Sequence, residues 1–143
     1  MKRGFSAIEL LVVSGLMVLI ITVSLPLLAS YQKTTKLRNE ARVLATNLRL
    51  AQQKAITEQI IYKILFPDTT SYQIVNNGTG DVFKTIEMET EVTLNEITGF
   101  TDDSIRFTAT GAVVEAGSVK LINTKEEISI IEIKPSGYVD INE

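Results

Sequence analysis

Apolar residues follow three different rhythms along this chain. From Leu10 to Gln32 there are 23 consecutive residues without a formal charge, dominated by Leu, Val and Ile. As an α-helix that run measures ~35 Å, enough to cross a hydrocarbon core of ~30 Å. After Gln32 the pattern changes. Leu37, Ala41, Leu44, Leu48, Ala51 and Ala55 recur at steps of 4, 3, 4, 3 and 4, which predicts a helix with one apolar face. Arg38, Asn39, Arg42, Asn47, Arg49 and Gln53 fall on the opposite side. The stripe is expected to cover the sheet of a folded head, being too short for a coiled coil.

The helix is expected to stop near Glu58, because Ile60 to Phe66 is β-branched and aromatic, with Ile60, Tyr62, Ile64 and Phe66 on one side of a strand. Pro67-Asp68-Thr69-Thr70 reads as a turn into a strand over 71–75. Asn76-Asn77-Gly78-Thr79-Gly80-Asp81 reads as another into 82–88, which makes a meander. Further short strands are predicted over 91–97, 104–108, 112–115, 118–123, 128–134 and 138–141. Their even spacing suggests an antiparallel β-sandwich or paired sheets. Ile128, Ile130, Ile131 and Ile133 put apolar groups on both faces, so that strand is either central or bulged. The predicted fold class is α+β: a long N-terminal amphipathic and transmembrane helix packed on a C-terminal antiparallel sheet or sandwich head.

Composition narrows the chemistry. The 143 residues include no Cys and no His, which removes disulfides, thiolate and imidazole metal sites, and the Ser/His and Cys/His nucleophilic pairs. Charge is segregated. Residues 33–57 carry six bases against one acid, net +5, whereas residues 58–143 carry six bases against fifteen acids, net −9. Phosphate contacts need clustered Lys or Arg, so the acidic head is expected not to bind nucleic acid. Asn76 to Asp81 resembles a calcium loop in composition only, lacking the alternating acids and closing glutamate. Asp102-Asp103 reads as a solvated loop. No metal and no cofactor are expected.

Glu9 remains to be explained, since a carboxylate at the head of an apolar run is expensive in hydrocarbon. A secretory signal accounts for the basic Lys2 and Arg3, but it carries no acid there, and Leu28-Ala29-Ser30 is a poor cleavage site. A plain anchor fits the length and leaves Glu9 without a role. Lys2-Arg3-Gly4 followed by Phe5-Ser6-Ala7-Ile8-Glu9-Leu10 and the uncharged run resembles the leader of type IV prepilins and pseudopilins.

That resemblance implies cleavage after Gly4 by a prepilin peptidase on the cytoplasmic side and methylation of the new Phe5 amine. It also implies a filament role for Glu9, whose carboxylate neutralises the amine of a neighbouring subunit in the apolar core; such a pair supplies register more than stability. Pro26 removes an amide donor and frees the Thr22 carbonyl, so the helix is expected to kink or melt locally between Gly15 and Pro26. Basic flanks do not orient the span, with two in the leader and four just after it; orientation comes from the resemblance.

In the head, Phe107-Thr108-Ala109-Thr110-Gly111 and Ile131-Glu132-Ile133-Lys134-Pro135-Ser136-Gly137-Tyr138-Val139 are similar to minor pseudopilins and minor pilins of the GspH/FimT type. The implied organisation is a leader at 1–4, a filament-core and transmembrane helix at 5–32, an amphipathic stem at 33–59 and a β head at 60–143. The implied partners are other pilin or pseudopilin subunits, the prepilin peptidase, an inner-membrane assembly platform and membrane lipid. The resemblance also implies a single-pass inner-membrane precursor with the head in the periplasm or outside, and a filament subunit that is the substrate of an enzyme and not itself one. The alternative is a secreted or membrane-tethered β-rich binding domain unrelated to filaments.

Overall fold

A computed structural model of the chain describes residues 6–142. Helix α1 spans Ala7–Glu58 and is followed by eight strands: β1 Tyr62–Leu65, β2 Ser71–Asn76, β3 Val82–Glu87, β4 Val92–Thr98, β5 Ser104–Phe107, β6 Gly117–Asn123, β7 Ile128–Ile133 and β8 Val139–Asn142. The chain divides into two compact units after Gln32, the second being Lys33–Glu143.

The helix ends at Glu58 for a local reason. Gln59 turns left-handed (φ 56°), the Ile60 N–H reaches back to the Ala55 carbonyl at 3.3 Å, and the Gln59 side-chain amide donates to the Ile56 carbonyl at 2.6 Å. These bonds satisfy carbonyls that the helix leaves open, and Ile60 packs onto the core as the chain enters β1.

The strands form two four-stranded antiparallel sheets, ordered β3-β2-β1-β5 and β4-β6-β7-β8. Strands β1 to β3 make the expected meander. Asp68 closes its first turn by accepting the Thr70 N–H at 2.7 Å, and Asn76 closes the second by accepting the Gly78 N–H at 2.8 Å. Strand β4 then opens the second sheet, β5 returns to pair with β1, and β6 to β8 complete the second sheet. Strand β7 is central, with unbroken registers on both sides; Ser129, Ile131 and Ile133 point inward while Ile128 stays exposed.

The expected strand over 112–115 does not form. Val113 makes a single bridge to Phe107 and gives its N–H to Pro135, whereas Val114 gives its N–H to Arg106. Donors divided between two partners leave no ladder to extend.

One core holds the second unit together. Leu37, Ala41, Leu44, Leu48, Ala51 and Ala55 are all at most 3% exposed. They meet Ile64, Tyr72, Ile74, Ile105 and Phe107 of the first sheet and Val119, Leu121, Ile131 and Val139 of the second. Asn47, placed by the sequence pattern on the polar side, is instead buried. Its amide donates to the Tyr72 hydroxyl at 2.8 Å and the Val43 carbonyl at 3.0 Å, and its oxygen accepts from Lys84 at 3.3 Å. Burial is thus compensated at each polar atom. The same burial pushes the Tyr72 hydroxyl up to about 12.

Glu40 is compensated less well. It is 6% exposed and accepts the Glu89 N–H, but its Oε2 has no hydrogen-bond partner among the described residues. Desolvation, aided by the nearby Glu89 charge, raises its pKa, while the Glu89 N–H lowers it. A raised folded pKa means that the ionised form is disfavoured in the fold. The stability associated with the protonated group is therefore full at low pH and lost as pH rises through the folded value. Glu40→Gln is expected to raise stability at pH 7 by about 1–2 kcal/mol, by removing an incompletely paired buried charge. The gain should vanish in acid. Urea midpoints at pH 7 and pH 4 check it, and an equal gain at both would refute the ionisation account.

Candidate functional site

Residues Ser6-Ala7-Ile8-Glu9 begin helix α1. The Ser6 N–H donates to the Glu9 carboxylate (Oε2) at 3.1 Å, and the Leu10 N–H donates to the Ser6 carbonyl at 3.2 Å. Glu9 therefore sits at the third helical position and reaches back to the amide of the capping residue, where the helix dipole also favours an anion. The Ser-x-x-Glu spacing of residues 6–9 is a helix-start signal that the reading of Glu9 as an isolated acid overlooked. Gly4 and Phe5 lie outside the described residues.

Beyond Glu9 the surface is apolar. Large side chains from Ile8 to Leu25, and Leu28, are turned outward, with Leu11 at 73% and Leu19 at 66% exposed. This helix is long and apolar enough to cross a membrane, with a mean hydropathy of 2.6 over its best window and none of that window buried. Its hydroxyls are internally satisfied: Ser14 donates to the Leu10 carbonyl, Thr22 to Val18 and Ser24 to Ile20, at 2.7–2.8 Å. Such back-bonding lets Ser and Thr sit in an oily environment without an unpaired donor. The helix runs unbroken past Gly15 and Pro26.

In the head, the motif glycines explain themselves. Gly111 and Gly137 both have left-handed backbones (φ 85° and 82°), and Gln52 of the helix donates to the Gly111 carbonyl at 2.7 Å. A Cβ on Gly137 would lie 2.1 Å from that carbonyl oxygen. The two loops close on the helix through a contact that only glycine permits. At the other end of the head, Thr34 and Asn123 donate to the Glu127 carboxylate at 2.8 Å each, Lys125 lies 3.0 Å from it, and Asn123 also donates to the Lys33 carbonyl at 3.3 Å. These bonds, the Thr34 hydroxyl foremost, hold the Glu127 carboxyl down to about 2.

Among the described residues no group of three His, Cys, Asp or Glu is placed to hold a metal. Asn76 spends its side chain on its own turn, and Asp102 and Asp103 lie exposed in a short 3-10 turn.

Comparison with known proteins agrees with the fold. The type IV minor pilin FimU of Pseudomonas aeruginosa superposes with a TM-score of 0.65 at 14% identity, covering 79% of this chain and 92% of that one. A second crystal form of FimU gives 0.62 at 16% identity, covering 75% and 93%. The minor pseudopilin EpsH from the type 2 secretion system of Vibrio cholerae gives 0.61 at 12% identity, covering 75% and 96%. No curated protein matches the sequence. The family described as type II transport protein GspH matches residues 40–137, which takes in the stem from Glu40 onward, strands β1 to β7 and both motif glycines. With more than half its length matched and the pilin fold in place, this chain is a type IV pilin-like protein and belongs to the GspH family.

Proposed function

We propose that the chain works as a minor pilin or pseudopilin, built into a type II secretion pseudopilus or a type IV pilus at or near its tip. In this reading it waits as a single-pass inner-membrane precursor with the head outside the cytoplasm. A prepilin peptidase removes residues 1–4, Phe5 becomes the methylated N-terminus, and an inner-membrane assembly platform hands the subunit to its neighbours. Residues 5–32 then form the filament core, 33–59 the stem and 60–143 the head. Proteins of this structural family are in general not enzymes.

The observation that carries the reading is the outward apolar helix with one carboxylate at its start. Glu9 is the only charged residue between Ser6 and Gln32. In the single chain its carboxylate has only an amide hydrogen bond and no cation among the described residues. Packing such helices side by side buries the apolar surface and makes a neighbour's Phe5 amine the natural counter-ion. Pro26 takes its part in the assembled state, where Thr22 lacks its usual amide donor and the turn is easiest to stretch.

Mass spectrometry of the mature protein tests this. A start at methylated Phe5 is the expected result; an intact Met1 or a start near Tyr31 favours a tethered or secreted binding domain. Gly4→Leu is expected to abolish trimming and leave the precursor in the membrane. A trimmed Gly4→Leu product would count against this processing route.

A further inference from the structure

The helix face that the core leaves to solvent carries arginines and no acid from Arg38 to Arg49. Arg38, Arg42 and Arg49 are exposed, and steps of four and seven residues set them on one stripe. The only acid between residues 33 and 57, Glu40, is turned into the core and 6% exposed. A groove lined by Arg42, Thr46, Asn47 and Lys84 flanks the stripe on one side, and a second lined by Arg49, Gln53, Ser136 and Tyr138 flanks it on the other. Residues 58–143, by contrast, carry net −9. The head therefore presents a basic ridge on an otherwise acidic body.

We propose that this arginine ridge docks the acidic head of a neighbouring pilin-like subunit, an inference that rests on the filament reading above. Charge complementarity selects the occupant: heads with this chain's charge distribution offer carboxylates, and guanidinium groups pair with carboxylates in forked hydrogen bonds. Arg49 is already steadied by a bond from one terminal nitrogen (Nη2) to the Val139 carbonyl at 3.1 Å, which holds its chain along the second groove. A lipid surface fits the ridge as a whole less well. Arg38 lies 6 residues past Gln32, ~9 Å of helix, but Arg42 and Arg49 lie 10 and 17 residues past it, ~15 and ~25 Å, beyond the ~8–10 Å over which headgroup charge acts at physiological salt.

The test uses the full chain in intact cells, with a photoreactive benzoylphenylalanine replacing Thr46 on the ridge or, separately, Leu16 in the apolar segment. Adducts are identified by mass spectrometry. From position 46 the expected product joins the carboxylate-bearing head of another pilin-like subunit. Its yield should fall roughly tenfold in the Arg38→Glu/Arg42→Glu double variant and be largely kept in Arg38→Lys/Arg42→Lys. Limited proteolysis of each purified variant verifies that the head is folded.

Position 16 adducts with a neighbour, accompanied at position 46 by no adduct, by one indifferent to charge reversal, or by one to phospholipid or nucleic acid, would overturn the ridge and spare the filament. Absence of adducts at both positions, with Phe5 never exposed as the N-terminus, would overturn both.

Discussion

Gly137→Ala is expected to cost the head about 3–5 kcal/mol, enough to leave much of it unfolded at 37 °C. Two penalties add. Gly137 has φ 82°, a region where a side chain costs about 1–2 kcal/mol. Its new Cβ would also fall 2.1 Å from the Gly111 carbonyl oxygen and 2.3 Å from the Gln52 side-chain amide that this carbonyl receives. Relief requires the loop to leave the helix, which breaks the 2.7 Å Gln52 bond. Gly111→Ala should be milder, since its Cβ meets the movable end of Ile56 at 2.8 Å. Gly78→Ala, with no contact nearer than 3.4 Å and no left-handed φ, is the control. Urea titrations of the full chains in detergent, followed by circular dichroism, order the three. A Gly137→Ala midpoint equal to that of Gly78→Ala would remove the glycine contact from this account.

Glu9→Ala should leave the precursor inserted and the head folded while lowering filament incorporation by a hundredfold or more. Within an apolar core, removing one member of an ion pair strands the other, at about 3–5 kcal/mol. The helix-start bond from Ser6 supplies a competing explanation, because alanine deletes that cap as well, a loss of about 1 kcal/mol. Glu9→Gln separates them. Glutamine keeps an acceptor for the Ser6 amide and abolishes the charge, so it should fail in assembly nearly as badly as alanine. Incorporation restored by glutamine would transfer the role of Glu9 from pairing to capping. Immunoblots of sheared filaments against membrane fractions give the ratio.

The parts of this fold legible in the sequence are those set by local periodicity. The six-residue apolar stripe of the stem is buried throughout, the helix ends at Glu58, and both turns of the β1 to β3 meander fall where Pro, Asp, Asn and Gly placed them. Glu9 stood out because a charge on an apolar background is visible without any structure. What could not be read depends on distant partners. Asn47 is polar by type, yet it is buried because Tyr72, on another element, answers its amide. Residues 112–115 have the composition of a strand, yet their donors are shared between Arg106 and Pro135. The motif glycines were visible as letters, but their shared reason is a contact across 26 residues that no local window contains.

The bonds joining residues 33 and 34 to the β6 to β7 turn have a mechanical meaning. Tension entering the head along the backbone from Gln32 meets Thr34 and Lys33 first, where Glu127 and Asn123 already grip them. Unravelling that begins in the preceding segment thus encounters a stop before it reaches Leu37 and the sealed interior. Because Thr34, Asn123 and Lys125 hold the Glu127 carboxyl down to about 2, this catch keeps its charge at neutral and mildly acidic pH, and it does so without a disulfide, since the chain has no cysteine.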